Sequence, residues 1–215
     1  TTYSLMNKWL SLSGVWGNYE LFRRVIVEGI YPMHPISTFM LTQLSDYLQN
    51  RSSMTLISQY ITEISDKDSD GGIPFVLPEE LMRGDLYQEM LASEISGKQL
   101  SQHCIRFDNI IRKHGDKLSE SSISVLRANL IVRILKFKTK NYEDAKAALM
   151  LCSGLVSEDL DRELKLLENE YALLGFDEHA GCFDFMEDSR GAHEYKIQKK
   201  HIAADWKADF KTMFK

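Results

Sequence analysis

Apolar residues recur at spacings of three and four along most of this chain, which predicts a mainly α-helical fold. In Thr2–Val27 the positions Leu10, Trp16, Tyr19, Leu21, Phe22 and Val25 cluster in this way. Gly29, Pro32 and Pro35 break the pattern, and Pro35 suits the first turn of the next helix. From Ile36 a stripe through Phe39, Met40, Leu44, Tyr47 and Leu48 runs to Gln49, and another helix is expected over about Ser53–Ile64. Asp66–Gly72 reads as a polar linker and Ile73–Leu77 as extended chain. Pro78 then starts a helix with Glu79 and Glu80 in its favourable first turn.

The second half follows a different order. A short helix near Ser101–His114 precedes a long one over about Ser119–Phe137, with Ile123, Leu126, Leu130, Ile131, Ile134 and Leu135 on one face. Asn141 is placed to cap Tyr142–Leu151, with Asp144 as the capping-box acid. Gly154 closes that helix, and Ser157 is expected to cap Glu158–Leu173. Leu173–Glu178 and Cys182–Met186 alternate around His179-Ala180-Gly181, which predicts a β-hairpin. Helices followed by a hairpin are the winged-helix order. The tail from Glu194 is helical again, with Tyr195, Ile202, Trp206, Phe210 and Met213 along one side. The expected organisation is a helical region over 1–95, a winged-helix-like domain over 96–190 and a basic amphipathic helix over 191–215.

Charge narrows the functions. A formal net charge of −5 argues against a uniformly basic nucleic-acid binder and leaves room for a local patch. The expected third helix carries Glu158, Asp159, Asp161, Glu163, Glu168 and Glu170 against Arg162 and Lys165. Such a helix would be repelled by phosphates, so a structural or protein-contacting role fits it better. The tail offers Lys196, Lys199, Lys200, Lys207 and Lys211 beside its aromatic stripe, candidate contacts to nucleic acid or a partner, although Asp205 and Asp209 dilute them. No apolar run reaches the roughly 18–20 residues of a membrane span. Three scattered cysteines, Cys104, Cys152 and Cys182, fit a reducing cytoplasm better than a disulfide framework. The chain opens on Thr1 and closes inside a helical pattern, which reads as a piece of a longer protein.

Catalytic motifs are missing from the sequence. Nothing matches GxxxxGK[ST], GxGxxG, HExxH or GxSxG, so the chain is not expected to build a nucleotide site or to be an enzyme alone. Asp66, Asp68, Asp70 and Gly71 match the opening of an EF-hand calcium loop. Pro74 at position nine and Leu77 at position twelve remove the closing ligands, so the stretch reads as a solvated acidic linker. The histidines show no ligand spacing, and no metal site is expected. His34, alone between prolines, fits a packed or backbone-bonded residue.

At Tyr31-Pro32-Met33-His34-Pro35-Ile36-Ser37, and at Gln49-Asn50-Arg51 followed by Thr55-Leu56-Ile57-Ser58, the chain resembles a known family. It looks like the large prokaryotic P-loop ATPases of bacteriophage-exclusion (BREX) and related phage-defence systems. These carry a tyrosine-proline-leucine-histidine-proline element and then a glutamine-asparagine-glutamate-arginine-threonine run. Val76–Leu81 is similar to the family's next landmark, whereas Ser52 and Ser53 depart from its Glu-Arg-Thr order. The resemblance covers about Gly29–Leu81 and is architectural beyond it.

It implies that a nucleotide core, with its ATP and Mg, lies N-terminal to this stretch, which itself holds no cofactor. Residues 1–95 would be an AAA+-like lid, and the partners would be the rest of the ATPase chain and other subunits of a defence complex. Arg51 becomes the candidate nucleotide sensor, because a guanidinium stabilises phosphate charge, and His34 would position the turn. Two other readings stay open: a nucleic-acid-binding winged helix that uses its hairpin and lysine tail on DNA, and a protein-interaction scaffold.

Overall fold

The computed structural model describes residues 2–44, 58, 62, 75–98 and 101–186. Among these residues the chain is mainly helical, with one antiparallel two-stranded sheet. None of their helices is long and apolar enough to cross a membrane.

The N-terminal stripe is two helices rather than one. Helix α1 (Thr2–Trp9) ends before a turn at Gly14, which sits at φ +59°. Asn18 then caps α2 (Tyr19–Leu21), its side chain accepting from the Leu21 amide at 3.1 Å, and α2 continues as a π-helical stretch, Phe22–Val27. The apolar spacing ran through the break because Leu12 and Trp16 also pack against the core. Helix α3 (Pro35–Gln43) begins at Pro35 as expected, and α4 (Pro78–Leu81) begins at Pro78. Leu77 cannot cap α4 with its side chain; Glu80 reaches back instead and accepts from the Leu77 amide at 2.8 Å. Helix α5 (Asp85–Ile95) follows.

Helix α6 (His103–His114) is capped from another element. Glu94 of α5 accepts from the Cys104 amide at 2.9 Å and the Ile105 amide at 3.1 Å. A buried carboxylate there satisfies helix-start donors and meets the positive end of the helix dipole. Ser119 caps α7 (Glu120–Ile134). This helix stops three residues before the expected Phe137. Lys136 takes φ 53°, while the Lys136 and Phe137 amides donate to the carbonyls of Arg133 and Val132. That is a Schellman closure. Nor is α7 apolar on one face only, since Val125, Leu126, Ala128, Leu130 and Ile131 are all fully buried. It is the central helix, packed by α4, α6, α8 and α9.

Asn141 caps α8 (Tyr142–Ser153) through the Asp144 amide at 2.9 Å, and Gly154 closes it at φ +72°. Asp144 is not seen closing a capping box; its carboxylate takes Lys8 Nζ at 2.5 Å. Ser157 is the first residue of α9 (Ser157–Lys165), not its cap. Val156 holds the cap position with extended backbone, and its carbonyl accepts from the Leu160 amide at 3.0 Å. Helix α9 ends in a π-helical stretch, Leu166–Glu170.

The hairpin forms as expected from β1 (Leu174–Asp177) and β2 (Cys182–Phe185), with Leu174 opposite Phe185 and Asp177 opposite Cys182. Asp177 accepts at its turn from the amides of His179 and Ala180, which holds its carboxyl below the usual carboxylate range. Beside β2, residues 136–140 alternate exposed and buried, with Lys136, Lys138 and Lys140 outward and Phe137 and Thr139 inward. One apolar cluster runs from Met6 and Trp9 through Met40, Leu81 and Leu126 to Phe185, so residues from both sides of position 95 share a core.

Candidate functional site

The Pro-His-Pro segment is an elbow fastened to chain about forty residues away. Its backbone meets Val76 in a parallel bridge at Met33, and the Tyr31–Pro32 bond is cis. The His34 amide donates to the Val76 carbonyl at 3.1 Å and the Val76 amide donates to the Pro32 carbonyl at 2.9 Å. The buried Ser37 hydroxyl adds a third bond to the Val76 carbonyl at 2.7 Å. Each bond satisfies a backbone group that would be costly to leave buried and unpaired.

His34 is the N-cap of α3, and its Nδ1 accepts from the Ile36 amide at 3.3 Å. Phe75 stands edge-on to its ring, with centroids 6.1 Å apart. Burial lowers the His34 pKa to about 4, so the imidazole is neutral at neutral pH. A neutral ring whose Nδ1 already holds an amide proton caps a helix; that nitrogen is not free to act as a base.

From Val76 the chain enters α4, which is clamped onto α7. Glu79, 5% exposed, takes Arg83 at 2.7 Å and Arg127 of α7 at 3.5 Å. Glu120 of α7 joins the same two guanidinium groups at 3.2 and 3.1 Å. Leu77 also lies against Gly154, where an added Cβ would overlap its side chain. The elbow is thereby tied, through Val76 and α4, to the helices that carry the hairpin.

The hairpin has its own anchor. Arg106 of α6 pairs with Asp184 at 2.8 Å and donates to the Phe185 carbonyl. Arg133 of α7 donates to Cys182 Sγ at 2.7 Å. Sequence spacing gave no sign of these pairs, because their partners are drawn together only by the tertiary fold.

The acids of α9 are largely spoken for inside the chain. Glu163, 3% exposed, accepts from Ser119 and Ser122 at 3.0 and 2.6 Å. Asp161 pairs with Lys146 at 2.6 Å, and Glu168 accepts from the Tyr142 hydroxyl at 2.9 Å. Exposed Glu158 and Glu170 keep the outer surface acidic. The three cysteines are free and buried, and burial pushes the Cys104 and Cys152 thiols up. No group of three or more His, Cys, Asp or Glu among the described residues could hold a metal ion.

Arg51, the lysines at 196, 199, 200, 207 and 211, and the Asp66–Gly71 stretch lie outside the described residues. Of the expected helix over Ser53–Ile64, only Ser58 and Thr62 are described. Comparison with models of protein families, with curated proteins and with solved structures finds no match to this chain.

Proposed function

We propose that this chain is the helical region after the nucleotide core of a phage-defence P-loop ATPase, joined to a winged-helix module. Its work is to relay nucleotide state from that core to a partner or to DNA. The observation that carries the reading is the fastening of the Pro-His-Pro elbow, through Val76 and the Glu79–Arg127 pair, to the helices bearing the hairpin. A relay needs a stiff connection, because packed interfaces pass on a displacement that loose chain would absorb.

The order α7, connecting residues 137–140, α8, α9 and hairpin supports the winged-helix assignment. ATP and Mg belong to the core N-terminal to Thr1, and Arg51 is the residue proposed to sense the nucleotide. In the polypeptide that carries the core, Arg51→Ala is expected to lower ATP turnover by on the order of tenfold or more with folding intact. Unchanged turnover removes Arg51 from the role. Absence of a phosphate-binding loop from the coding sequence upstream of Thr1 overturns the reading as a whole.

The acidic surface of α9 weighs against DNA as the direct target of that helix. Titrating the chain with duplex DNA at rising salt is expected to show weak binding with a shallow slope. A steep log–log dependence, of several phosphates' worth, would instead support a nucleic-acid-binding winged helix using the hairpin and lysine tail.

A further inference from the structure

We infer that the seam between α1, α3 and the end of α7 is a binding site for a small organic anion with an apolar body. A cavity of about 370 Å³ opens there, within the usual size of a ligand pocket. Buried Leu10, Phe39 and Leu44 form its apolar wall, and the end of α7 contributes Ile134 and Leu135. Its polar groups are Gln43, Ser11, Lys136 and Lys138, and no carboxylate among the described residues lines it. Two lysines beside an apolar wall suit an anion that brings its own hydrophobic surface.

Neither lysine spends its charge within the described structure. Lys138 donates to the neutral Ser11 hydroxyl at 2.9 Å, and Lys136 makes no ion pair among the described residues. Lys136 also stands where a helix usually places glycine, at φ 53° just past the end of α7. A Cβ disfavours that conformation, so the fold keeps a strained backbone where glycine would relieve it. What the strain retains is a lysine among the residues that line the cavity. Strain held at a site that a side chain lines is an observation from which function can be argued.

The apolar wall decides between ligand classes. A DNA phosphate would meet the lysines and leave Leu10, Phe39 and Leu44 without a partner. An aromatic or branched acid would cover all five groups at once. The inference does not depend on the ATPase reading, since it concerns a cavity inside the described chain.

The test uses 8-anilinonaphthalene-1-sulfonate, with uncharged N-phenyl-1-naphthylamine as the matched neutral probe. One saturable site is expected for the sulfonate, with the neutral probe at least about tenfold weaker. Lys136→Gly with Lys138→Gln should weaken the sulfonate by about tenfold or more and leave the neutral probe unchanged. The melting temperature of Lys136→Gly alone should not fall, because the strain is relieved. Gln43→Trp, at an exposed position on the rim, should block both probes. Non-saturable binding, equal affinity for the two probes, or full affinity in the lysine variant would each overturn the assignment. Displacement of the probe by a short DNA duplex would reassign the cavity to nucleic acid.

Discussion

Gly181→Ala is expected to lower the unfolding free energy by roughly 3 kcal/mol or more, summing left-handed strain and overpacking. Gly181 sits at φ +65° in the turn between β1 and β2, where its amide donates to the Asp177 carbonyl at 2.8 Å. A Cβ there would overlap the Thr139 carbonyl oxygen, which is backbone and cannot swing away as a long side chain would. The same two segments are held by the Thr139 hydroxyl, which donates to the Gly181 carbonyl at 2.5 Å. Relieving the overlap therefore means pulling the hairpin off residues 136–140. Gly97 provides the control, since it lies at φ +72° with open space around it. Gly97→Ala carries the strain alone, about 1 kcal/mol. Urea titrations of the two variants measure the difference. If they are equally stable, the hairpin moves freely over Thr139 and the proposed relay loses its last link.

Much of the fold could be read from residues whose effect is local. Pro35 and Pro78 start helices, Asn141 caps one, Gly154 closes one, and the alternation around Gly181 makes a hairpin. Local chemistry decides each of these, so the sequence carries it. The misreadings came where tertiary packing outweighs it. Residues between α1 and α2 keep helical spacing because Leu12 and Trp16 pack on the core from a loop. The spacing carries α7 on to Phe137 because a lysine, not a glycine, takes the left-handed position at its end. A helix covered on several sides also has no single stripe to find, and α7 is buried even at Ser122 and Asn129.

The candidate site divides in the same way. His34 between two prolines stood out in the sequence, and in the structure it caps α3. Its tie to Val76 is not encoded in any periodicity, since a parallel bridge between remote residues leaves no local pattern. By composition, residues 157–170 form one strongly acidic helix. Glu163 instead turns inward to two serines, and the partly exposed Asp161 is paired with a lysine, so the helix is less acidic outside than its composition suggests. Nothing in the sequence marks Lys136 and Lys138 as a pair, because only the fold sets them beside Leu10 and Phe39.

Acid should weaken the elbow through His34. Its folded pKa, lowered by burial to about 4, lies below the ordinary value of 6.5. The unfolded chain therefore binds the proton more readily, and stability is full above pH 6.5 and falls as pH drops towards 4. The loss attributable to this residue is about 2 kcal/mol at pH 5 and approaches about 3 kcal/mol below pH 4, at 1.36 kcal/mol per pKa unit. The geometry gives the reason. A protonated Nδ1 would point a second donor at the Ile36 amide and remove the cap of α3. His34→Asn keeps a side-chain acceptor in the cap position and cannot titrate. Urea unfolding of both proteins from pH 7 to pH 4 should show the native chain losing this margin relative to the variant. His103, whose pKa burial also lowers, titrates in both proteins and drops out of the difference. A constant difference across the range would mean that His34 is solvated and the elbow is open, which would also remove the stiff connection on which the proposed relay depends.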